Sequence, residues 1–228
     1  MSIAIAVVMV VSGYLSGSVS YATLITRGLA GKDIREMGNR NPGTLNVGKN
    51  FGKGWGVLVA LLDALKSFVP MLVASILLRQ EDGWFVCMVV VAVGVAAILG
   101  HWKPVFHGFR GGQAVGSAIG VFLFIVPLEF LIAFVVASLF GLLVMKRRDP
   151  AWVRWVPISL MVFVPFIATG LNLVLNVPLF ARVSLGGHPG EWMAGLWVVC
   201  FLVLGINFRY LRKRVSGAVA DPDRPPRG

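Results

Sequence analysis

Two glycine-rich, basic stretches and one charged pair hold the residues with which this chain could do chemistry. The first stretch, Gly38–Gly54, reads GNRNPGTLNVGKNFGKG, with five glycines, four asparagines, three basic residues and no acid. Glycines let backbone N–H groups converge on an anion, because no side chain blocks the approach. Asn41 and Asn46 add neutral donors, and Arg40, Lys49 and Lys53 add charge. The chemistry this suits is a phosphate cradle; the plainer reading is a flexible loop whose cations only set membrane topology. The second stretch, Gly100–Gly120, reads GHWKPVFHGFRGGQAVGSAIG. Here Arg110, Gly111 and Gly112 are expected to open a short helix, whose free N–H groups and dipole favour an anion. His101 and His107 are available as bases or phosphate ligands, or as packing and capping residues of an interfacial loop. Between the stretches lies LLDALK, in which Asp63 and Lys66 stand three apart on one helix face. Charges inside an apolar run are expensive, so they should pair with each other or with a loop side chain folding inward.

The elements that must position these residues are membrane helices. The chain has 228 residues, 57% hydrophobic and 14% charged, with a mean hydropathy of +0.82. A soluble domain carries roughly 25% charged residues. The formal charge of +11 therefore points to anionic headgroups and cytoplasmic loops, not to nucleic acid. Cys87 and Cys200 each lie in an apolar run and read as small buried hydrophobes; no disulfide and no metal site is inferred. The first apolar run is too long for a signal peptide and lacks a charged segment before it, so it reads as retained.

The fold expected is an all-α integral membrane protein of about seven transmembrane helices. The spans fall near Ile3–Leu29, Trp55–Leu78, Trp84–Leu99, Ala114–Val126, Leu128–Met145, Val153–Leu175 and Glu191–Tyr210. Pro127 separates the short fourth span from the fifth. With the N-terminus outside and the C-terminus inside, the inside segments hold 18 of the 21 Lys and Arg residues, as the positive-inside rule requires. Both glycine-rich loops then face the cytoplasm. Residues 1–215 form one polytopic domain, and 216–228 a disordered cytoplasmic tail. The small residues of Gly13–Ile25, GYLSGSVSYATLI, suit close helix packing. The basic end of the seventh helix, with Asn207, Arg209 and Arg212, is expected to close a pocket for phosphate-bearing substrates.

At these residues the sequence resembles the bacterial membrane acyl-phosphate:glycerol-3-phosphate acyltransferases of the PlsY type. GSVSYA resembles the family's first-helix GSxxxA segment, and GNRNPGTLNVGK its GSGNxGATNVxR loop. LLDALK resembles LDxLKG, and GHWKPVFHGFRGGQAVGSAIG resembles GHxxPVFxxFKGGKGVATAxG. Asn207 matches the Asn of the family's C-terminal HxxNIxRL segment. The resemblance implies acyl transfer from acyl phosphate to the 1-hydroxyl of glycerol 3-phosphate, giving lysophosphatidic acid and phosphate. It implies no cofactor and no metal, and an inner-membrane enzyme with its site facing the cytoplasm. Its catalytic set would be Asn41, Thr44, Asn46, Lys49, His101 and Asn207. Its phosphate-binding set would be Arg40, Gly43, Arg110, Gly111, Gly112, Gln113 and Arg209, with Asp63 and Lys66 as a structural ion pair.

The chain departs from the family pattern at several of these places. Asn39 stands where the family has Ser, Leu45 where it has Thr, Lys49 where it has Arg, and Gln113 where it has the second Lys of KGGK. Leu204 and Tyr210 replace a His and an Arg. Two alternatives stay open on that account: a catalytically degenerate relative that binds or regulates without turnover, and a small membrane transporter built around Asp63 and Lys66.

Overall fold

The computed structural model describes residues 2–145, 155–175 and 189–215, all of the regular elements among them being helical. The helices are α1 (Ser2–Ser18), α2 (Tyr21–Ala30), α3 (Thr44–Phe51), α4 (Lys53–Leu77), α5 (Gly83–Trp102), α6 (Val115–Ile125), α7 (Pro127–Phe140), α8 (Val156–Leu175) and α9 (Pro189–Val215). Among the described residues, four helical segments are long and apolar enough to cross a membrane: Ser2–Ala30, Lys53–Leu77, Gly83–His107 and Pro127–Val144. Shorter apolar stretches lie at Val115–Ile125, Val156–Asn172 and Trp192–Phe208. The chain is thus a multi-pass membrane protein, as its hydropathy requires. The loop 146–154 and the tail 216–228, on which part of the charge count and the domain boundary rest, lie outside the described residues.

Three expectations are corrected. The first span is not one helix but α1 followed by α2, broken at Val19 and Ser20. Ser20 caps α2, its hydroxyl accepting from the Thr23 N–H at 3.4 Å. The stretch Gly38–Gly54 is not wholly loop, because Thr44–Phe51 forms α3. Gly111 and Gly112 do not open α6, which begins three residues later at Val115. Cys87 and Cys200 are buried free thiols.

Helix α1 lies against α5 and α4, α4 against α5 and α6, α7 against α8, and α9 against α5, α6 and α8. Glycines set the closest approaches. A Cβ on Gly17 would fall on the Ala97 carbonyl, and one on Gly100 on the Tyr14 carbonyl, so no larger residue fits the α1–α5 crossing. Phe122, Met71, Ile98, Leu160 and Leu196 fill the core between the helices. These close contacts bring the break in α1–α2, the middle of α4 and the end of α5 to one place.

Candidate active site

At that place is a small, partly open cleft, lined by Gly17, Ser18, Val19 and Ser20 of the helix break, Pro42 of the first loop, Asp63 and Lys66 of α4, and His101, Pro104, Gly111 and Gly112. Its floor is a buried charge pair: Lys66 Nζ lies 2.8 Å from Asp63 Oδ1. Lys66 also donates to the Val19 carbonyl at 3.0 Å. That carbonyl sits where the helix is interrupted, so the ammonium occupies an acceptor that a continuous helix would have used. Ser16 returns a bond to the Lys66 carbonyl at 2.7 Å. The pair is therefore hydrogen-bonded on several sides, the condition under which a buried ion pair can persist.

His101 sits in the last turn of α5 and not in a loop. Its Nδ1 is 3.1 Å from the Ser117 hydroxyl and 3.8 Å from Asp63 Oδ1. Its Nε2 lies against Gly112, where an added Cβ would come within 2.5 Å of it. The Gly112 N–H donates to the His101 carbonyl at 3.0 Å. The second loop is thereby folded back onto the helix that precedes it, with the imidazole under the glycines. Asn207 of α9 reaches the same loop from the other side, donating to the Gln113 carbonyl at 3.0 Å and to the Val203 carbonyl at 2.8 Å.

The first loop is ordered from within. The Asn46 amide donates to the carbonyls of Ile34 (3.2 Å), Met37 (3.0 Å) and Asn41 (3.1 Å), and its Oδ1 accepts from Asn50 at 3.0 Å. Asn46 is 2% exposed, so it shapes the loop instead of facing a ligand. Asn41 N–H bonds to Asn39 Oδ1. Gly43 caps α3 without a side-chain hydrogen bond, and Thr44 begins the helix. Farther out, Arg35 donates to Asp33 at 2.6 Å and to the His107 carbonyl at 3.2 Å, tying the first loop to the second. The Arg35 guanidinium hydrogen-bonded to Asp33 holds that carboxyl well below the usual range, with Arg27 adding to the effect.

Of the residues named from sequence, the cleft thus gathers Asp63, Lys66, His101, Gly111 and Gly112. Arg40 and Arg110 are exposed on the loops and Lys49 is exposed on α3, and Arg40 adopts a left-handed φ of 60°. Gln113 is half-buried, and Asn207 touches the loop's backbone and does not line the cleft. The side chain of Arg209 lies outside the described residues, and Arg212 is exposed. Sequence reasoning missed four contributors. Ser117 was hidden because its only signal is a Ser close to a helix start. The Val19 carbonyl carries no side-chain signal at all. Arg35 and Asp33 look like ordinary surface charges until their partner loop is known.

A polytopic helical protein whose two glycine-rich loops converge over a buried cation belongs to the class of membrane-embedded enzymes that handle anionic substrates. The comparison with known proteins narrows this to one family. Residues 7–214 match the family model described as glycerol-3-phosphate acyltransferase, and the chain belongs to that family. It is 38% identical over 160 residues to the glycerol-3-phosphate acyltransferase of Halalkalibacterium halodurans, covering 70% of this chain and 71% of that one. It is 34% identical over 200 residues to glycerol-3-phosphate acyltransferase 1 of Dehalococcoides mccartyi, covering 86% and 84%. Among solved structures it resembles the crystal structure of PlsY, an integral membrane glycerol 3-phosphate acyltransferase, in its glycerol 3-phosphate form, with a TM-score of 0.68 and 28% identity over 93% of this chain and 92% of that one. The lysophosphatidic acid form of PlsY superposes with a TM-score of 0.66 at 26% identity, over the same shares of the two chains.

Proposed function

We propose that the chain transfers an acyl group from acyl phosphate to the 1-hydroxyl of glycerol 3-phosphate, releasing lysophosphatidic acid and phosphate. The observation that carries the reading is the convergence of both glycine-rich loops on one cleft above the buried Lys66–Asp63 pair. Family membership and the two ligand forms of PlsY support the acceptor and the product. Acyl phosphate as donor rests on the resemblance of the motifs. A mixed anhydride already carries a good leaving group, so placement and charge neutralisation supply most of the rate.

In this scheme the glycerol hydroxyl oxygen attacks the acyl carbonyl carbon. The new ester C–O bond forms as the bond to the phosphate oxygen breaks. The hydroxyl proton passes to a phosphate oxygen. The N-terminus of α3 at Thr44, following Gly43, and the Gly111 backbone supply dipoles toward the phosphates, while Gly112, whose N–H the His101 carbonyl holds, serves by leaving the cleft open above the imidazole. Arg40, Lys49 and Arg110 supply charge at the rim, with Gln113 a neutral member of the same rim, and the motif resemblance assigns a further cation to Arg209 of α9. His101 supports the second loop and presents Nε2 at its base. The Asn46 and Asn207 side chains hold backbone positions, and Asn41 is placed by its own backbone, which Asn39 and Asn46 hold. Seven spans, an outside N-terminus and a cytoplasm-facing site in the bacterial inner membrane complete the reading, and the distribution of Lys and Arg supports that orientation. The intramembrane charges that favour a transporter are already engaged with each other and with the Val19 carbonyl.

The test is acyl transfer by the purified, detergent-solubilised protein given acyl phosphate and glycerol 3-phosphate. Phosphate and lysophosphatidic acid released in equal amounts are expected. A folded protein that binds glycerol 3-phosphate yet forms no product would instead establish the degenerate reading.

A further inference from the structure

The segment Trp102–Arg110 runs on from the last residue of α5, and the acyl-transfer reading uses it only through Pro104 in the cleft wall and Arg110 at the rim, leaving its aromatic surface without a role. Helix α5 has 20 residues, about 30 Å of rise, the thickness of a bilayer's hydrocarbon core. The residues after it therefore lie at the membrane surface. There the chain exposes Trp102 (38%), Val105 (41%), Phe106 (60%) and Phe109 (54%). Gly108 and Phe109 both adopt left-handed backbone, with φ of 59° and 60°. For Phe this is a disfavoured conformation. It turns outward a ring that stays more than half exposed, so the protein itself gains little from it. Lys103 and Arg110 are exposed between these rings, and Lys103 lies 5.1 Å from the centre of the Trp102 ring. From His101 to Leu128 the sequence holds no acid. The acid brought near from the first loop, Asp33, is already bonded to Arg27 and Arg35.

We propose that Trp102–Arg110 is a docking segment for anionic lipid: Phe106 and Phe109 enter the headgroup layer while Lys103 and Arg110 meet acidic headgroups. Aromatic rings with an apolar body favour that layer, and basic residues there are attracted to acidic lipid. The segment is continuous with Gly111 and Gly112 and is tied to the first loop through Arg35 and the His107 carbonyl. Docking therefore steadies the loop that forms one wall of the cleft, and turnover depends on the charge of the surrounding lipid. The inference concerns the same site as the acyltransferase reading, but its first test needs no activity.

That test uses the full chain carrying Phe106→Cys, labelled with a nitroxide; the native Cys87 and Cys200 are buried. In vesicles of phosphatidylcholine with phosphatidylglycerol, the label is expected to collide with oxygen more readily than with a neutral nickel chelate. The preference should weaken in phosphatidylcholine alone, and adding Lys103→Gln should raise about fivefold the phosphatidylglycerol needed. A label that favours the nickel chelate in both vesicles is in water and overturns the proposal, leaving a protein partner for this surface. In the second test, phosphatidylglycerol should raise wild-type turnover severalfold. The double variant Phe106→Ser, Phe109→Ser should keep the turnover seen in phosphatidylcholine and lose that rise. A double variant that responds to phosphatidylglycerol as the wild type does also overturns the proposal. A chain without acyltransferase activity would fail only this second test.

Discussion

In the first glycine-rich loop one side chain does the ordering: Asn46 holds three carbonyls of its own loop and is itself held by Asn50. In the second loop the ordering comes from neighbouring helices. His101 of α5 accepts at its carbonyl and fills the space under Gly112, while Asn207 of α9 grips the Gln113 carbonyl. The two stretches look alike as sequence, being rich in glycine, basic and without acid. They differ in where their backbone groups find partners, and that decides what each can tolerate. A self-ordered loop concentrates its stability in one residue. A loop ordered by its surroundings distributes it, and is sensitive instead to anything that changes the fit of its glycines.

The largest effect that would test this contrast is expected in the second loop. Gly112→Leu puts a branched side chain against the His101 ring. It should lower acyl transfer about 10²- to 10³-fold, with helical content by circular dichroism unchanged. A Leu variant that keeps wild-type turnover would remove Gly112 from the site. In the first loop, Asn46→Asp keeps the size but loses both amide donors and sets a carboxylate before three carbonyls. A loss of about 2–3 kcal/mol is expected, read as a lower unfolding temperature in detergent together with lower activity. If activity fell with no change in unfolding, Asn46 would be facing substrate and the contrast between the loops would fail.

The helices and the charged pair were legible because they depend on local patterns. Apolar runs of span length mark α4 and α5 to within a few residues, and Asp63 and Lys66 share a face by spacing alone. The break at Val19 was not legible: no proline or charge marks it, and its stabilising partner, Lys66, is 47 residues away. The helical character of Thr44–Phe51 was hidden by Asn and Gly, which lower helix propensity. It forms because Val47 is fully buried and Asn46 is anchored to the loop before it. For the candidate site, residue type indicated which side chains carry charge or donors. It could not show that Asn46 turns inward while Lys49 stays exposed, since that depends on α3 once formed.

The tie between the loops offers a smaller effect. Because Asp33 has its carboxyl pKa lowered in the folded protein, its contribution to stability is complete above the ordinary carboxylate range, near pH 4. It is lost as pH falls below that. Asp33→Asn should cost about 1–2 kcal/mol at neutral pH and flatten the fall in stability on acidification. An unchanged acid profile would show that Arg35 holds the His107 carbonyl without help from Asp33.

The smallest effect is expected from Gln113→Lys, which restores the cation of the family pattern at the point where both forms of ordering meet. The Gln113 carbonyl is already held by Asn207, so the substitution changes the side chain and leaves the backbone bond available. A rim cation at this position should lower KM for glycerol 3-phosphate about twofold to fivefold and leave kcat nearly unchanged, with the gain shrinking as salt is added. A rise in kcat instead would mean that the cation acts in the transition state. No change in either constant would mean that Arg40, Lys49 or Arg110 already neutralises the phosphate, and that the backbone of the second loop matters more to binding than its side chains.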